Sequence, residues 1–516
     1  MQVIVRSQWE RMRIVQVNHS DVGGGAARAA YRLHRGLLSI GETCSMVVKQ
    51  KLTNDKDIVL AQQPNAALNR RAFLFESIQE HINTHRTEIS NTIFSFSYPG
   101  SDISTIPHIL ATDIVNLHWV ANFQSPTSLR KLFASGKPVV WTLHDQWAFT
   151  GGCHYSAGCK KYMDTCADCP QLTDALYDLP SKILLDKMVL FADVNMTIVA
   201  PSNWLKECAK ESRLFNKLRI EVIPNSLETD IFIPKNKREA KKKLGIDTDV
   251  RTLLFGAENG REKRKGYHEL LRAIEHCKSY ERFNTLMAER KIILLLLGHP
   301  GEELTRTGLP IHPLGYVNSD EQLADIYSAA DVFVLPSLED NLPNTMLESM
   351  SCGTPVIAFD TGGMRDLIQN DITGMIVTYK DTAALGNAIT DLLFDQKKIE
   401  QMGYNCSSLI HKNFKLKVQA ARYRDLYSEL VKKTTGRSMI RKNDGIVNEP
   451  SSLCIVKTDL STGAHFKRIE KAIGRRVWEW KRCLKKIRSI LNDSYFSVLS
   501  FFQRLTGRVK HQTPVG

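Results

Sequence analysis

Two acids, Asp340 and Glu348, stand eight residues apart in the segment 335–363, LPSLEDNLPNTMLESMSCGTPVIAFDTGG. The run VFVLPS reads as a buried strand, Asp340 falls in the loop after it, and Pro343-Asn344 open a helix that carries Glu348. Carboxylates at the carboxyl ends of parallel strands suit a sugar, because each accepts hydrogen bonds from neighbouring hydroxyls. The helix N-terminus beside them suits a phosphate. A second phosphate-type turn is Gly23-Gly24-Gly25, between the apolar run MRIVQVNH and the helical AARAAYRLHRGLL. It is not the dinucleotide fingerprint: Arg28 stands where the third glycine belongs, and Lys49-Gln50-Lys51 replace the ribose-binding acid. A nicotinamide cofactor is therefore not expected. Separately, Cys153, Cys159, Cys166 and Cys169 lie within 17 residues and close on a C-x-x-C. Four thiolates suit a structural, non-catalytic zinc ion, with disulfides or free thiols as the alternatives that spacing alone leaves open.

The same segment resembles the nucleotide-sugar site of retaining family 4 glycosyltransferases, of the kind that build bacterial polysaccharides and other glycans. The resemblance is carried by Pro336-Ser337, Asp340 and Glu348 at E-x7-E spacing, Cys352-Gly353-Thr354-Pro355-Val356, Gly362-Gly363 and Asp366. It extends over about residues 12–434. It implies the GT-B fold, two Rossmann-like doubly wound α/β domains facing a cleft, and transfer of a sugar from a nucleotide donor to a glycan or lipid-linked glycan hydroxyl. The acceptor is implied to attack the face from which the nucleotide leaves. By the resemblance Asp340, Glu348, His118, Lys265 and Arg261 are the catalytic set, with Arg264 a rival for Arg261. Gly23, Gly24, Gly25, Glu339, Asn341, Leu342, Pro343, Gly362 and Gly363 would bind the donor. Asp340 stands where the family has Glu, so Glu339 is the alternative sugar-contacting acid. No D-x-D metal pair is evident, and no cofactor is implied for catalysis. Lys265, Arg261 and helix termini would stabilise the leaving diphosphate. A non-catalytic glycan-assembly partner, or a GT-B epimerase or phosphorylase, is the alternative.

The elements that must position these residues alternate. Strand-like runs at 113–119, 138–144, 195–202 and 220–226 continue a first α/β series, and those at 251–257, 291–298, 331–337 and 354–360 form a second. The expected parts are an acceptor-side domain at 1–230, a nucleotide-sugar-binding domain at 231–411, and a helix at 412–434 crossing back to the first. A linker at 435–464 and a basic amphipathic helical tail at 465–516 follow.

The charge separates these parts. The 516-residue chain carries a net +14, yet residues 437–516 hold 17 Lys/Arg against 6 Asp/Glu. The body is nearly neutral, and no basic–aromatic interleaving marks it for nucleic acid, so no nucleic-acid partner is expected. In the tail, Phe466, Ile469, Ile473, Val477, Trp480 and Leu484 make one apolar stripe among ten Lys/Arg from Lys467 to Arg488. Such a helix lies in the surface of an anionic bilayer, so residues 465–505 are expected to hold the protein there. The polar start MQVIVRSQWERM is not a signal peptide, and no run reaches the ~20 apolar residues of a spanning helix. The expected location is cytoplasmic, peripheral on the inner face of the membrane.

Overall fold

The computed structural model describes residues 11–61, 70–89, 92–175, 178–259, 262–299 and 302–441. The chain divides into two compact units, one of residues 1–66 and 82–446 and one of 67–81 with 447–516. Of the second unit the described part, residues 70–81, is helical. The expected tail lies outside the described residues.

The first unit contains two parallel sheets. Seven strands, β1 (Arg13–Ser20), β2 (Thr43–Gln50), β3 (Ile58–Leu60), β4 (Ile114–Leu117), β5 (Val139–Thr142), β6 (Met196–Ala200) and β7 (Arg219–Val222), lie in the order β3-β2-β1-β4-β5-β6-β7. Six more, β8 (Arg251–Asn259), β9 (Ile292–His299), β10 (Ile311–Gly315), β11 (Val332–Leu335), β12 (Val356–Phe359) and β13 (Gly374–Val377), lie in the order β10-β9-β8-β11-β12-β13. Each sheet reverses its winding once, beside its first strand, and there the carboxyl ends of neighbouring strands part to leave a crevice. The GT-B expectation thus holds.

Strands β4, β5, β6, β11 and β12 are buried along their whole length, which is why they read as largely apolar runs without alternation. Apolar clusters cover both faces of the second sheet, one built around Leu254, Leu295 and Phe333, the other around Leu253, Leu294 and Val334.

The chain crosses between the halves twice, side by side: Leu227 N–H donates to Phe414 O, and Leu227 pairs with Lys415 in a parallel bridge. This crossing corrects one helix boundary. Phe414 and Lys415 lie between two helices and Lys415 makes the bridge, so a Gln396–Asn413 helix ends before them and the crossing helix starts at Leu416 rather than 412. That helix runs on to Arg441, seven residues into the stretch expected as linker. It packs on the first sheet through Ala420, Tyr423 and Tyr427. Its approach to the Gly24–Ser39 helix is close: a Cβ on Gly36 would sit 2.8 Å from Leu416 O.

Candidate active site

The crevice of the second sheet holds a compact charge cluster. Asp340 follows β11, and its Oδ2 accepts from Lys265 Nζ (2.7 Å) and pairs with Arg264 Nη1 (3.0 Å). Its Oδ1 accepts from Asn341 N–H (3.0 Å) and Tyr155 OH (3.3 Å). Burial alone would raise this carboxyl, but Lys265 and Arg264 more than offset it and hold Asp340 well below the usual carboxylate range. Glycines bring the loops this close. Gly266 has φ +72°, and a Cβ there would lie 1.7 Å from Pro336 O; at Gly362, φ +57°, it would lie 1.8 Å from Asp340 O.

Glu339 turns the other way. Its Oε2 accepts from Ala157 N–H (2.8 Å) and its Oε1 from Ser156 Oγ (3.2 Å), while burial raises its carboxyl above the ordinary value. Asp340 takes the cations and Glu339 takes the loop of the first half. Asn341 accepts from Ser202 Oγ (2.6 Å), the hydroxyl that also caps the Asn203–Glu211 helix. Leu342 is buried, and Pro343 precedes the Asn344–Ser351 helix.

Glu348 lies on that helix, 2% exposed, and its partners come from both halves. Arg32 Nη2 donates to Oε1 (3.0 Å), Arg28 Nε lies 3.6 Å away, and Tyr327 OH donates to Oε2 (3.1 Å). Arg28 and Arg32 share one face of the helix that the glycine turn opens. Gly23 (φ +103°) and Gly24 (φ +80°) make the turn, and Gly25 O accepts from Asn344 Nδ2 (2.9 Å). The turn of the first half therefore meets the helix N-terminus of the second.

His118, expected in the catalytic set, directly follows β4 in the first half. It is 3% exposed at the end of β4, with Nδ1 on His144 Nε2 (3.0 Å). The Gln16 amide, oriented to satisfy its neighbours, donates to His118 Nε2 (2.9 Å). Burial, then His144, pushes the imidazole well below its ordinary value and keeps it neutral. Its link to the acids is indirect, through Asn341 Nδ2, which donates to His144 O (3.3 Å). Arg261 lies outside the described residues.

Residues the sequence reading left out of the set are Tyr155, Arg28 and Arg32, while Arg264, named as the rival for Arg261, pairs with Asp340. The i,i+4 arginines after a glycine turn were a readable signal, whereas no local pattern marks Tyr155. A cavity of about 640 Å³ opens beside this cluster, lined by Tyr155, Trp204, Arg264, Glu339, Thr361 and Lys380 among others. Another of about 630 Å³, lined by Tyr280, Arg282 and Phe394, includes none of the acid–base cluster. The four clustered cysteines all line one cavity of about 20 Å³.

Residues 250–395 match the family described as Glycosyl transferases group 1. D-inositol 3-phosphate glycosyltransferase of Thermobispora bispora is 29% identical over 233 residues, 42% of this chain and 51% of that protein. The chain thus spans about half the length of that relative. The putative colanic acid biosynthesis glycosyl transferase WcaC of Escherichia coli is 23% identical over 380 residues, 69% of this chain and 85% of WcaC. Among solved structures, HepE of Anabaena in complex with UDP and glucose superposes with a TM-score of 0.55 at 15% identity. The superposition covers 81% of this chain and all of that one. On a GT-B framework, then, this chain carries a domain of the glycosyl transferases group 1 family.

Proposed function

We propose that this protein is a retaining glycosyltransferase that moves a sugar from a nucleotide-sugar donor to a hydroxyl of a glycan or lipid-linked glycan, in surface polysaccharide biosynthesis. The observation that carries the reading is Asp340 held by Lys265 and Arg264 in the crevice of the second sheet. A diphosphate offers these cations more charge than one carboxylate does. Its arrival would draw them onto the leaving group and free Asp340 to accept from sugar hydroxyls. Glu348, already bound by donors on both sides, would fix the closed arrangement and the nucleotide beside it. His118 would act as a neutral wall of the sugar pocket, through His144 and Asn341. The group 1 match over 250–395 supports the donor side, and the likeness to WcaC supports a glycan acceptor.

The test is donor consumption over a panel of nucleotide sugars and glycan acceptors, without added metal. Lys265→Ala and Glu348→Gln should each lower turnover by about 100-fold or more while the fold persists. Wild-type rates in both variants overturn the assignment. Donor binding without turnover on any acceptor would indicate the non-catalytic partner, and isomerised donor would indicate an epimerase.

The basic tail supports a place on the cytoplasmic face of an anionic membrane. Among the described residues no helix is long and apolar enough to cross one. The triple variant Trp480→Ala, Lys485→Glu, Lys486→Glu should lose vesicle binding about tenfold or more with donor binding unchanged. Equal co-sedimentation of both forms with phosphatidylglycerol vesicles refutes the location.

A further inference from the structure

The loop that meets Glu339 and Asp340 is long, and little regular structure holds it. Between Cys153 and Cys169 its ordered element is one 3-10 turn, Lys161–Met163, and Ala157, Cys166 and Asp168 adopt left-handed φ angles of 52°, 56° and 48°. Yet this loop contacts both acids directly. Tyr155 OH donates to Asp340, Ser156 Oγ and Ala157 N–H donate to Glu339, and the Tyr155 ring lies 4.2 Å under the Arg264 guanidinium. Something other than secondary structure must fix it.

We propose that Cys153, Cys159, Cys166 and Cys169 bind one zinc ion, and that this ion fixes the loop presenting Tyr155, Ser156 and Ala157 to the acids of the second half. The four side chains converge on one cavity of about 20 Å³, room for a single small occupant. None of them is in a disulfide. A backbone donor faces one of the sulfurs: Lys161 N–H donates to Cys159 Sγ (3.4 Å). Four thiolates around one ion leave a net negative charge, and Lys161, Lys187 and Arg86 are the cations near these sulfurs. Soft sulfur ligands select zinc over magnesium or calcium. Ligation contracts the cluster. No three of the sulfurs lie within 4.8 Å of one another, against about 3.8 Å in a tetrahedral site with bonds of about 2.3 Å. The ion site stands whether or not the chain transfers sugar.

The full-length protein, purified from zinc-supplemented medium and dialysed, should carry about one equivalent of zinc per chain by elemental analysis. Cys153→Ser and Cys169→Ser should lose it, and Cys277→Ser, in the second half, should keep it. Should the serine variants fail to fold, the wild-type protein decides: cobalt exchanged into it should give thiolate charge-transfer and tetrahedral visible bands. No zinc together with no cobalt bands overturns the proposal. So does an unreduced mass lower by the four hydrogens of two disulfides within this loop. For the bracing role, stripping the ion should speed hydrogen exchange of residues 153–171 by about tenfold or more, and unchanged exchange refutes it.

Discussion

The two sheets share one winding order but furnish their crevices with opposite chemistry. Beside β8 and β11 the second half gathers Lys265, Arg264 and Asp340, two cations on one carboxylate. Beside β1 and β4 the first half places a glycine turn and His118, a buried imidazole held neutral by burial and by His144. Arg28 and Arg32 of the first half face acids of the second instead, Arg28 paired with Asp320 and near Glu348, Arg32 paired with Glu348. The same fold position can therefore hold an ion cluster or a neutral wall. The contrast assigns charge stabilisation to one half, and closure and shape to the other.

The bridge between the halves is the point where this contrast breaks most severely. Arg32 is fully buried and paired with Glu228 (2.8 Å) as well as Glu348 (3.0 Å). Arg32→Ala leaves two carboxylates without their shared partner, and the expected loss is about 3–5 kcal/mol in urea unfolding. A loss below about 1 kcal/mol would mean the halves are not held by this bridge.

Next comes the ion cluster itself. Asp340→Asn keeps the shape but leaves Lys265 and Arg264 facing a neutral amide. If both cations serve the leaving diphosphate and Asp340 the sugar, Asp340→Asn and Lys265→Ala should each cut kcat about 100- to 1,000-fold. The double variant should lose far less than the product of the two effects, since the groups act as a unit. Independent, multiplying losses measured in initial rates would deny the unit.

Acid separates the halves by a different route. Burial lowers His34 and His144 to about 4, and His118 well below its ordinary value, all three in the first half. Their folded values lie below the unfolded ~6.5, so the unfolded chain binds more protons between those limits. Stability is complete above about pH 6.5 and falls as pH drops toward 4, by roughly 3 kcal/mol each for His34 and His144. Asp340, depressed instead, gives up its contribution only below its unfolded value near 4. Acid opening should therefore begin in the first half. Trp119, Trp141, Trp147 and Trp204 all lie there and residues 231–411 contain no tryptophan, so with Trp478 and Trp480 of the tail replaced by Phe the fluorescence reads that half. His34→Gln should flatten the pH slope; an unchanged slope excludes that histidine.

How much of this could be read from the chain follows from the range of each interaction. Buried parallel strands such as VFVL and VIAF announce themselves as apolar runs, and the glycines at 266 and 362 sit where a Cβ cannot. Strand β3 is only three residues, and β10 carries Pro313, so neither rises above the pattern of a loop. Arg32 and Glu348 lie 316 residues apart, and no local spacing announces such a pair. His118 was legible as a residue at a strand end, but its burial depends on His144 and Gln16, which arrive from neighbouring strands.

The finest test of the division concerns Tyr155, the side chain that the first half lends to the ion cluster. Its hydroxyl donates to Asp340 Oδ1 at 3.3 Å, a long bond, while its ring lies against Arg264 at 4.2 Å. These contacts separate cleanly by substitution. Tyr155→Phe removes the hydroxyl and keeps the face presented to the guanidinium, whereas Tyr155→Leu removes both. A long hydrogen bond to a carboxylate already served by two cations contributes little, about 1 kcal/mol or less, so Tyr155→Phe should lower kcat/KM by no more than about fivefold. The guanidinium loses about 0.5–2 kcal/mol when the ring goes, so Tyr155→Leu should fall about tenfold further. If the first half supplies shape, the ring matters and the hydroxyl does not. Equal losses in both variants would give the hydroxyl the larger share, and the first half would then be working on the charge of Asp340 directly.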